Sequence, residues 1–240
     1  MSFVIPAFNE EVFIEDTLGA LDSLSKSKVF NYEVVVVDDG SQDETFTRAY
    51  RYSQKNGHVK VIRYPTNAGK GYAIKTGFMK ASGEIVVFVD SDLEIDLKTI
   101  SKYVEALKNA DIVIATKWHK DSLVSMSLGR KLLSRSFNVL ARLLIGFNLK
   151  DTQVGLKAMR RSAVASIFPR LAVKRYAFDV ELLAVSHLNN LKIVEMPVKI
   201  KLAAPFKPKE AWRMFVDLLG IAYRLRITRW YQRKVSFRLL

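Results

Sequence analysis

The fold is decided by eight consecutive residues, Ile85-Val86-Val87-Phe88-Val89-Asp90-Ser91-Asp92. The five apolar residues do not alternate with polar ones, which is typical of a strand covered on both faces, and acidic residues follow at once. Similar runs occur at residues 34–37, 59–62 and 112–114, with helical periodicity between them. Strand alternating with helix predicts an α/β fold, a doubly wound and mainly parallel sheet with helices on both faces.

Polar residues follow several of these strands. In such a sheet the binding site lies beyond the carboxyl ends of the strands. The residues there are Pro6-Ala7-Phe8-Asn9-Glu10, Asp38-Asp39-Gly40-Ser41 and Asp90-Ser91-Asp92-Leu93-Glu94. We therefore expect three acidic clusters to meet at one edge of the sheet.

Asp90 and Asp92 have the chemistry of a metal site. Two carboxylates that follow a strand can turn toward one point, and hard oxygen ligands suit Mg²⁺ or Mn²⁺. Such an ion would neutralise charge on a departing phosphate. The alternative is a helix N-cap, a role for which Asp96 competes.

Two further segments suit a phosphate or nucleotide. Residues 67–71, here called the glycine-rich loop, read Asn-Ala-Gly-Lys-Gly and can bring backbone N–H groups and Lys70 to phosphates. Asp38 and Asp39 can accept hydrogen bonds from a base or a ribose. The alternative for the loop is a flexible turn. The alternative for the aspartates is a cap of the following helix, where Ser41 and Glu44 have capping-box spacing. The loop matches neither the P-loop nor the dinucleotide-binding pattern.

Composition limits the function. The 240 residues include no cysteine, which excludes disulfides, thiolate zinc sites and cysteine nucleophiles. A net charge of +14 indicates anionic partners, and the charge is uneven. Residues 117–175 carry 13 basic and 2 acidic side chains, whereas residues 1–116 carry 13 and 17. Solvated helix faces are the alternative explanation.

The second half of the chain is less regular. Periodicity predicts helices at residues 127–145, 178–188 and 209–235, and a strand at 192–201. No apolar run reaches the roughly 18 residues of a bilayer span. Aromatic, aliphatic and arginine side chains are interleaved after residue 208, which favours a helix lying on an anionic membrane surface over one merely packed on the domain.

The domain boundary is placed before Pro208. We expect one domain at residues 1–207, in two halves at 1–116 and 117–207. A basic amphipathic segment at 208–240 follows it.

The four segments of the first half, taken together in their order and spacing, resemble family two glycosyltransferases of the GT-A fold, which use nucleotide-diphospho-sugars. By that resemblance a group of residues would bind the nucleotide sugar, and Asp90, Asp92 and Glu94 would hold the metal. The first group is Pro6, Phe8, Glu10, Val37, Asp39, Lys70, Asp90, Ser91 and Lys207.

The second half resembles the branch that glycosylates dolichyl or polyprenyl phosphate. The resemblance lies in residues 130–135, 151–157 and 176–183. Residues 151–157 and 178–183 look more like the glucosyl enzymes, and 90–94 more like the mannosyl enzymes, so UDP-glucose and GDP-mannose both remain possible donors. The chain departs from the family at Thr116-Lys117, where Ser-Arg is common, and at residues 205–207, where Gly-Ser-Lys is common.

The resemblance implies that residues 1–116 are a nucleotide-sugar half and residues 117–207 an acceptor half. It also implies inversion at the sugar, assisted by Mg²⁺ or Mn²⁺. We expect Asp92 to serve the donor through the metal, and Lys117, Arg130 and Ser134 to hold the lipid phosphate, with Arg135 as a further candidate. Because a phosphate monoester is largely dianionic near pH 7, positioning and electrostatics would do most of the work.

Three polar residues lie amid apolar sequence: Asp151, Gln153 and Asp179. They either contact the sugar or order the acceptor site, or they are buried structural groups.

The expected location is peripheral, on the cytoplasmic face of a membrane, with a separate membrane subunit as an additional partner. Alternatives are a transferase acting on a glycan or protein hydroxyl, which needs a general base, a nucleic-acid binder and an inactive membrane scaffold. The absence of any recognised nucleic-acid-binding motif argues against the nucleic-acid binder.

Overall fold

The structure is a computed structural model, and it describes residues 1–28, 31–202 and 208–232. Its strands are β1 Ser2–Ala7, β2 Glu33–Asp38, β3 Val59–Arg63, β4 Ile85–Phe88, β5 Ile112–Thr116, β6 Leu123–Ser125, β7 Lys157–Arg160, β8 Ile193–Pro197 and β9 Lys199–Lys201. Its helices are α1 Ile14–Ser27, α2 Thr45–Lys55, α3 Lys70–Lys80, α4 Ile100–Ala106, α5 Leu128–Ile145, α6 Arg161–Val164, α7 Phe178–Leu188 and α8 Pro208–Ala222.

Seven strands form one sheet in the order β3-β2-β1-β4-β7-β5-β8. All neighbours are parallel except β7, which runs antiparallel to both β4 and β5. The predicted doubly wound, mainly parallel sheet is confirmed. Strand β7 was not predicted, because it is only four residues long and begins and ends with basic residues.

Helices cover both faces of this sheet. Along β1 and β4, Val4 and Phe88 pack with α3, α5, α7 and α8, whereas Phe3 and Val87 pack with α1 and α4. Alternate residues of one strand thus enter two different cores, and burial of both sets explains why the strands are apolar without alternation.

The ends of α5 and α7 lie close to the predicted positions. Ser127 caps α5, since its hydroxyl accepts from the backbone N–H of Arg130 at 3.4 Å. Gly146 ends α5 in a left-handed conformation, φ 91°, which glycine adopts without the usual steric cost. The predicted break at this glycine is confirmed.

Two local predictions are wrong. The Ser41 and Glu44 pair does not form a capping box: α2 begins at Thr45, whose backbone N–H donates to Asp43 at 3.0 Å. The single strand predicted at residues 192–201 is two strands, because β8 joins the large sheet and β9 pairs with β6 in a second, two-stranded sheet.

The C-terminal segment packs on the body of the molecule. Leu218, Ile221 and Tyr231 are fully buried in the core that also contains α7. Helix α8 continues as a π-helix over Tyr223–Ile227 and a short 3₁₀ turn at Trp230–Gln232. The division at residue 208 stays a prediction; residues 208–232 share a hydrophobic core with the preceding chain.

Candidate active site

Beyond the carboxyl ends of β1 and β2, the two connecting loops are tied together. Asn9 has a positive φ of 57°, and its side-chain oxygen accepts from the backbone N–H of Gln42 at 2.9 Å. The backbone N–H of Asn9 donates to Ser41 at 3.0 Å, and that of Glu10 donates to Thr45 at 2.7 Å. These bonds fix Phe8 and Glu10 at the edge of the sheet.

Asp39 holds the glycine-rich loop. Its two carboxylate oxygens accept from the backbone N–H groups of Ala68 at 2.7 Å and Gly69 at 2.8 Å. Burial raises the pKa of Asp39 even though both loop amides act to lower it. Gly69 has φ 108°, and a Cβ added there would collide with the carbonyl oxygen of Lys174. The loop is therefore firmly positioned.

Lys70 and Asp90 form an ion pair at the centre of this edge. The ammonium lies 2.6 Å from Oδ1 of Asp90. Burial acts to lower the pKa of Lys70, but the carboxylates of Asp90 and Asp179 outweigh it and raise it. Gly155 approaches from the other side, so closely that a Cβ there would overlap the Asp90 carboxylate.

Two carboxyl groups beside this pair have raised pKa values. Burial and the charge of Asp90 raise the pKa of Asp92 to about 6. Burial and the charges of Asp92 and Asp90 raise the pKa of Glu10 to about 7. Negative charge is therefore in excess at this edge of the sheet, and a cation would relieve it.

The donor set fits a divalent ion whose coordination a phosphate completes. Asp90 and Asp92 supply hard oxygen ligands, and their mutual repulsion is what a bound cation would offset. The carboxylate of Glu94 lies 4.0 Å from the guanidinium of Arg130, and the role of Glu94 as a third ligand stays a prediction. Among the described residues, no three carboxylate or imidazole groups are grouped as a preformed metal site. Asp96 caps the 3₁₀ turn after it, accepting from Lys98 at 3.1 Å, so the aspartate pair is not needed for that cap.

The candidate nucleotide-binding residues differ in exposure. Phe8 is 42% exposed, whereas Pro6 and Val37 are buried side by side in paired strands. Ser91 is buried as well, and its hydroxyl donates to the carbonyl oxygen of Pro6 at 3.3 Å. Lys207 lies outside the described residues.

Helix α5 carries two of the predicted phosphate-binding residues, and the first of them reaches this edge. Arg130 approaches Glu94, and Ser134 follows one turn later on the same helix face. The guanidinium of Arg135 stacks on Trp118, 4.8 Å from the ring centroid.

Lys117 is held in a buried ion pair. Its side chain is buried, and its ammonium lies 2.8 Å from Asp151. The same carboxylate accepts from the backbone N–H of Lys117 at 3.1 Å. This pairing orders residues 116–118, and the contact of Lys117 with a lipid phosphate stays a prediction.

The chain is similar to known proteins over most of its length. The model of the family "Glycosyl transferase family 2" matches residues 2–168. The dolichyl-phosphate beta-glucosyltransferase of Homo sapiens is 34% identical, over 96% of this chain and 77% of its own length. That of Drosophila melanogaster is 33% identical, over 96% and 76% respectively.

The chain belongs to glycosyltransferase family 2. The predicted family is therefore confirmed. The curated relatives that match it over most of their length include dolichyl-phosphate β-glucosyltransferases, so of the two donor hints in the sequence the glucosyl one agrees with them. Among the helices that the structure describes, none combines the length and the apolar character needed to cross a bilayer.

The fold of this family 2 glycosyltransferase is found in solved structures. Glucosyl-3-phosphoglycerate synthase of Mycobacterium tuberculosis superimposes with a TM-score of 0.71 at 22% identity, over 98% of this chain and 81% of that one. The same synthase in complex with Mn²⁺, uridine-diphosphate and phosphoglyceric acid gives 0.72 at 21% identity, over 98% and 79%. The GT-A fold is confirmed.

Sequence reasoning missed two buried charged residues near the site. Lys157 lies 2.9 Å from Asp179 and donates to the carbonyl oxygen of Val154 at 2.7 Å. Glu181 is fully buried in α7. Asp179 is thus a buried, paired group. The signal that could have revealed both was available: Lys157 interrupts the apolar run at 154–159, and Glu181 interrupts the one at 177–185.

Proposed function

We propose that this family 2 glycosyltransferase transfers glucose, with inversion, from UDP-glucose to dolichyl phosphate or a related polyprenyl phosphate. One observation carries the proposal: Arg130 of α5 lies near the Asp90 and Asp92 pair. The backbone N–H of Glu94 donates to Asp92 at 3.0 Å, and its carboxylate lies 4.0 Å from the Arg130 guanidinium. The similarity to dolichyl-phosphate beta-glucosyltransferases suggests the glucose and the dolichyl phosphate.

On the donor side, Asp90 and Asp92 would hold Mg²⁺ or Mn²⁺. When bound, the ion would neutralise the charge that develops on the departing nucleoside diphosphate. Lys70 is already paired with Asp90, so it is positioned to contact the same phosphates. We expect Phe8, which is exposed, and Glu10, which is half-buried, to contact the nucleoside. Four buried residues would shape the pocket behind them: Pro6, Val37, Asp39 and Ser91.

On the acceptor side, the nucleophile needs no proton acceptor. The second pKa of a phosphate monoester is about 6, so the lipid phosphate is largely dianionic near pH 7. Arg130 and Ser134 would hold it in line with the anomeric carbon, opposite the leaving group. The ammonium of Lys117 is held by Asp151, so we expect Lys117 to support this contact and Arg130 to make it.

The three parts of the chain would divide the work as the sequence suggests. Residues 1–116 would bind the donor, residues 117–207 the acceptor, and residues 208–240 the membrane. Lys207 is proposed as a further diphosphate contact on the sequence resemblance alone.

A lipid acceptor requires access to a membrane. Helices α5 and α8 pack against each other, and both expose large apolar side chains among basic ones. We name the exposed apolar residues the α5–α8 surface: Leu128, Leu132, Val139, Leu143, Trp212, Val216, Leu219 and Tyr223. Apolar and cationic groups together suit the interface of an anionic bilayer. Peripheral attachment at the cytoplasmic face, and a separate membrane subunit, remain predictions.

The direct test is transfer of labelled sugar. Purified protein is given UDP-glucose or GDP-mannose, each with dolichyl phosphate and Mg²⁺ or Mn²⁺, and the product is extracted into organic solvent. We expect a labelled lipid from UDP-glucose only. Asp92→Asn should lower turnover by about 100-fold or more, as loss of one electrostatic stabiliser typically does.

The control is Asp96→Asn, the same substitution four residues later, at an aspartate that caps a 3₁₀ turn outside the site. Its turnover should stay near that of the wild type. A labelled lipid from GDP-mannose would overturn the assignment of the donor. Transfer to a glycan hydroxyl with none to the lipid would overturn the acceptor, and full activity of Asp92→Asn would overturn the metal assignment.

A further inference from the structure

Glu181 is a fully buried carboxylate with partners on two sides. Its Oε2 atom accepts from the backbone N–H groups of Ala172 at 2.9 Å and Val173 at 2.8 Å. Its Oε1 atom accepts from the hydroxyl of Tyr231, and the guanidinium of Arg224 lies 3.5 Å away. One carboxylate therefore joins residues 171–176, here called the supporting loop, to the C-terminal segment.

Tyr231 is held firmly in this contact. Its side chain is 1% exposed, and the guanidinium of Arg224 donates to its hydroxyl oxygen at 2.8 Å. Its carbonyl oxygen accepts from Arg170 at 3.1 Å, just before the supporting loop. The proton donor to Glu181 thus comes from the end of the described chain, about fifty residues away in sequence.

The supporting loop in turn packs on the glycine-rich loop. The carbonyl oxygen of Lys174 accepts from the backbone N–H of Tyr72 at 3.0 Å. Neither Gly69 nor Gly71 has room for a Cβ: the first would meet Lys174, and the second would meet Phe178 and the carbonyl oxygen of Arg175. A shift of the supporting loop therefore cannot leave the backbone on either side of Lys70 unchanged.

We infer that Glu181 and Tyr231 form a clamp through which the C-terminal segment, residues 208–232, orders the glycine-rich loop and the lysine it carries. Glu181 and Tyr231 are positioning residues, since they act on Lys70 through the supporting loop. The ordering of the glycine-rich loop is inferred only from the contacts of Glu181, Tyr231 and the supporting loop. Its consequence for catalysis rests on the proposed function: the segment proposed to lie on the membrane would also set the affinity for the donor.

Hydrogen–deuterium exchange of the full-length protein tests the clamp without any substrate. Glu181→Gln removes one acceptor oxygen, and Tyr231→Phe removes the hydroxyl with little change in volume. We expect the amides of residues 68–73 to exchange about fivefold faster or more in both, the factor that follows from losing one buried hydrogen bond. Where turnover is measurable, KM for UDP-glucose should rise by a similar factor with kcat changed less than twofold.

The matched control is Tyr103→Phe. Tyr103 is equally buried, and its hydroxyl donates to the carbonyl oxygen of Pro197 at 2.8 Å, in the core on the other face of the sheet. Its loss should lower the melting temperature without changing exchange at residues 68–73. Unchanged exchange in Tyr231→Phe would overturn the clamp, as would equal loosening by Tyr103→Phe. If Glu181→Gln does not fold, Tyr231→Phe decides alone. A wild-type protein with no transferase activity would refute the proposed function, and the exchange experiment would still decide the clamp.

Discussion

Gly155 shows how much the site depends on a missing side chain. A Cβ at this position would overlap the carboxylate of Asp90, which is the movable end of a side chain rather than backbone. We therefore expect Gly155→Ala to leave the fold intact and to push the Asp90 carboxylate away from Lys70. A displacement of about 1 Å in a catalytic group can cost about 100-fold in rate.

The measurement is kcat/KM for UDP-glucose together with the melting temperature. Gly19→Ala is the control, since nothing lies within 4 Å of a Cβ added there. We expect Gly155→Ala to lose at least about tenfold in kcat/KM with a melting temperature near that of the wild type. Wild-type kinetics in Gly155→Ala would mean that Asp90 has another productive position.

Single residues were predictable where chemistry and strand position agreed. Asp90, Asp92 and Glu10 lie at the predicted edge, because the ends of parallel strands must meet there. The partner of each polar group was not predictable. Asp39 bonds to two loop amides and Lys117 to a carboxylate 34 residues away. Such pairings depend on how distant segments pack, which local patterns do not encode.

At the scale of elements, periodicity identified helices well and short strands poorly. The helix predicted at 127–145 and the one at 178–188 agree with α5 and α7 within one residue, because α5 has an apolar face and α7 is mostly apolar. Strands β6, β7 and β9 have only three or four residues, and each begins or ends with a polar or charged residue, so no apolar run marks them as β4 is marked. The antiparallel course of β7 depends on its neighbours alone.

Helix α5 carries a prediction of its own. Leu128 and Leu132 are 84% and 69% exposed near its beginning, one turn apart. If this face enters the membrane interface, Leu128→Ser with Leu132→Ser should weaken binding to phosphatidylserine-containing vesicles by about 30-fold, because each leucine loses about 1 kcal/mol of apolar transfer free energy. Flotation of protein with vesicles measures it.

The control for α5 is Met79→Ser, which removes a comparably exposed apolar side chain from α3. It should bind vesicles as the wild type does. Binding should also fall with added salt, since basic residues flank the leucines and salt screens their attraction to anionic lipid. Equal binding by the double variant and the wild type would remove α5 from the membrane contact.

At the scale of the whole molecule, Glu33 joins several parts of the sheet at the end opposite the site. Its carboxylate accepts from the hydroxyl of Ser2 at 2.7 Å, from both the backbone N–H and the hydroxyl of Ser82 at 2.6 Å, and from Lys60 at 2.8 Å. Burial acts to raise the pKa of Glu33, but these donors outweigh it and lower the pKa to about 2. A carboxylate so placed links β1, β2, β3 and the turn before β4.

This link predicts how stability responds to acid. Because the pKa of Glu33 is lower in the folded than in the unfolded state, its contribution is complete above about pH 4.5, the unfolded value, and is lost as pH falls toward about 2. Glu33→Gln should therefore lower the free energy of unfolding at pH 7 by about 1.5–3 kcal/mol, the usual range for a hydrogen bond to a charged group. The difference from the wild type should shrink through this pH window, as measured by urea unfolding at several pH values. Glu105→Gln is the control. Glu105 is exposed, and its carboxylate lies 3.7 Å from Lys108 in a surface ion pair, a kind of pair that contributes little to stability. A difference of the same size at pH 7 and at pH 2 would mean that Glu33 stabilises the sheet by packing rather than through its charge.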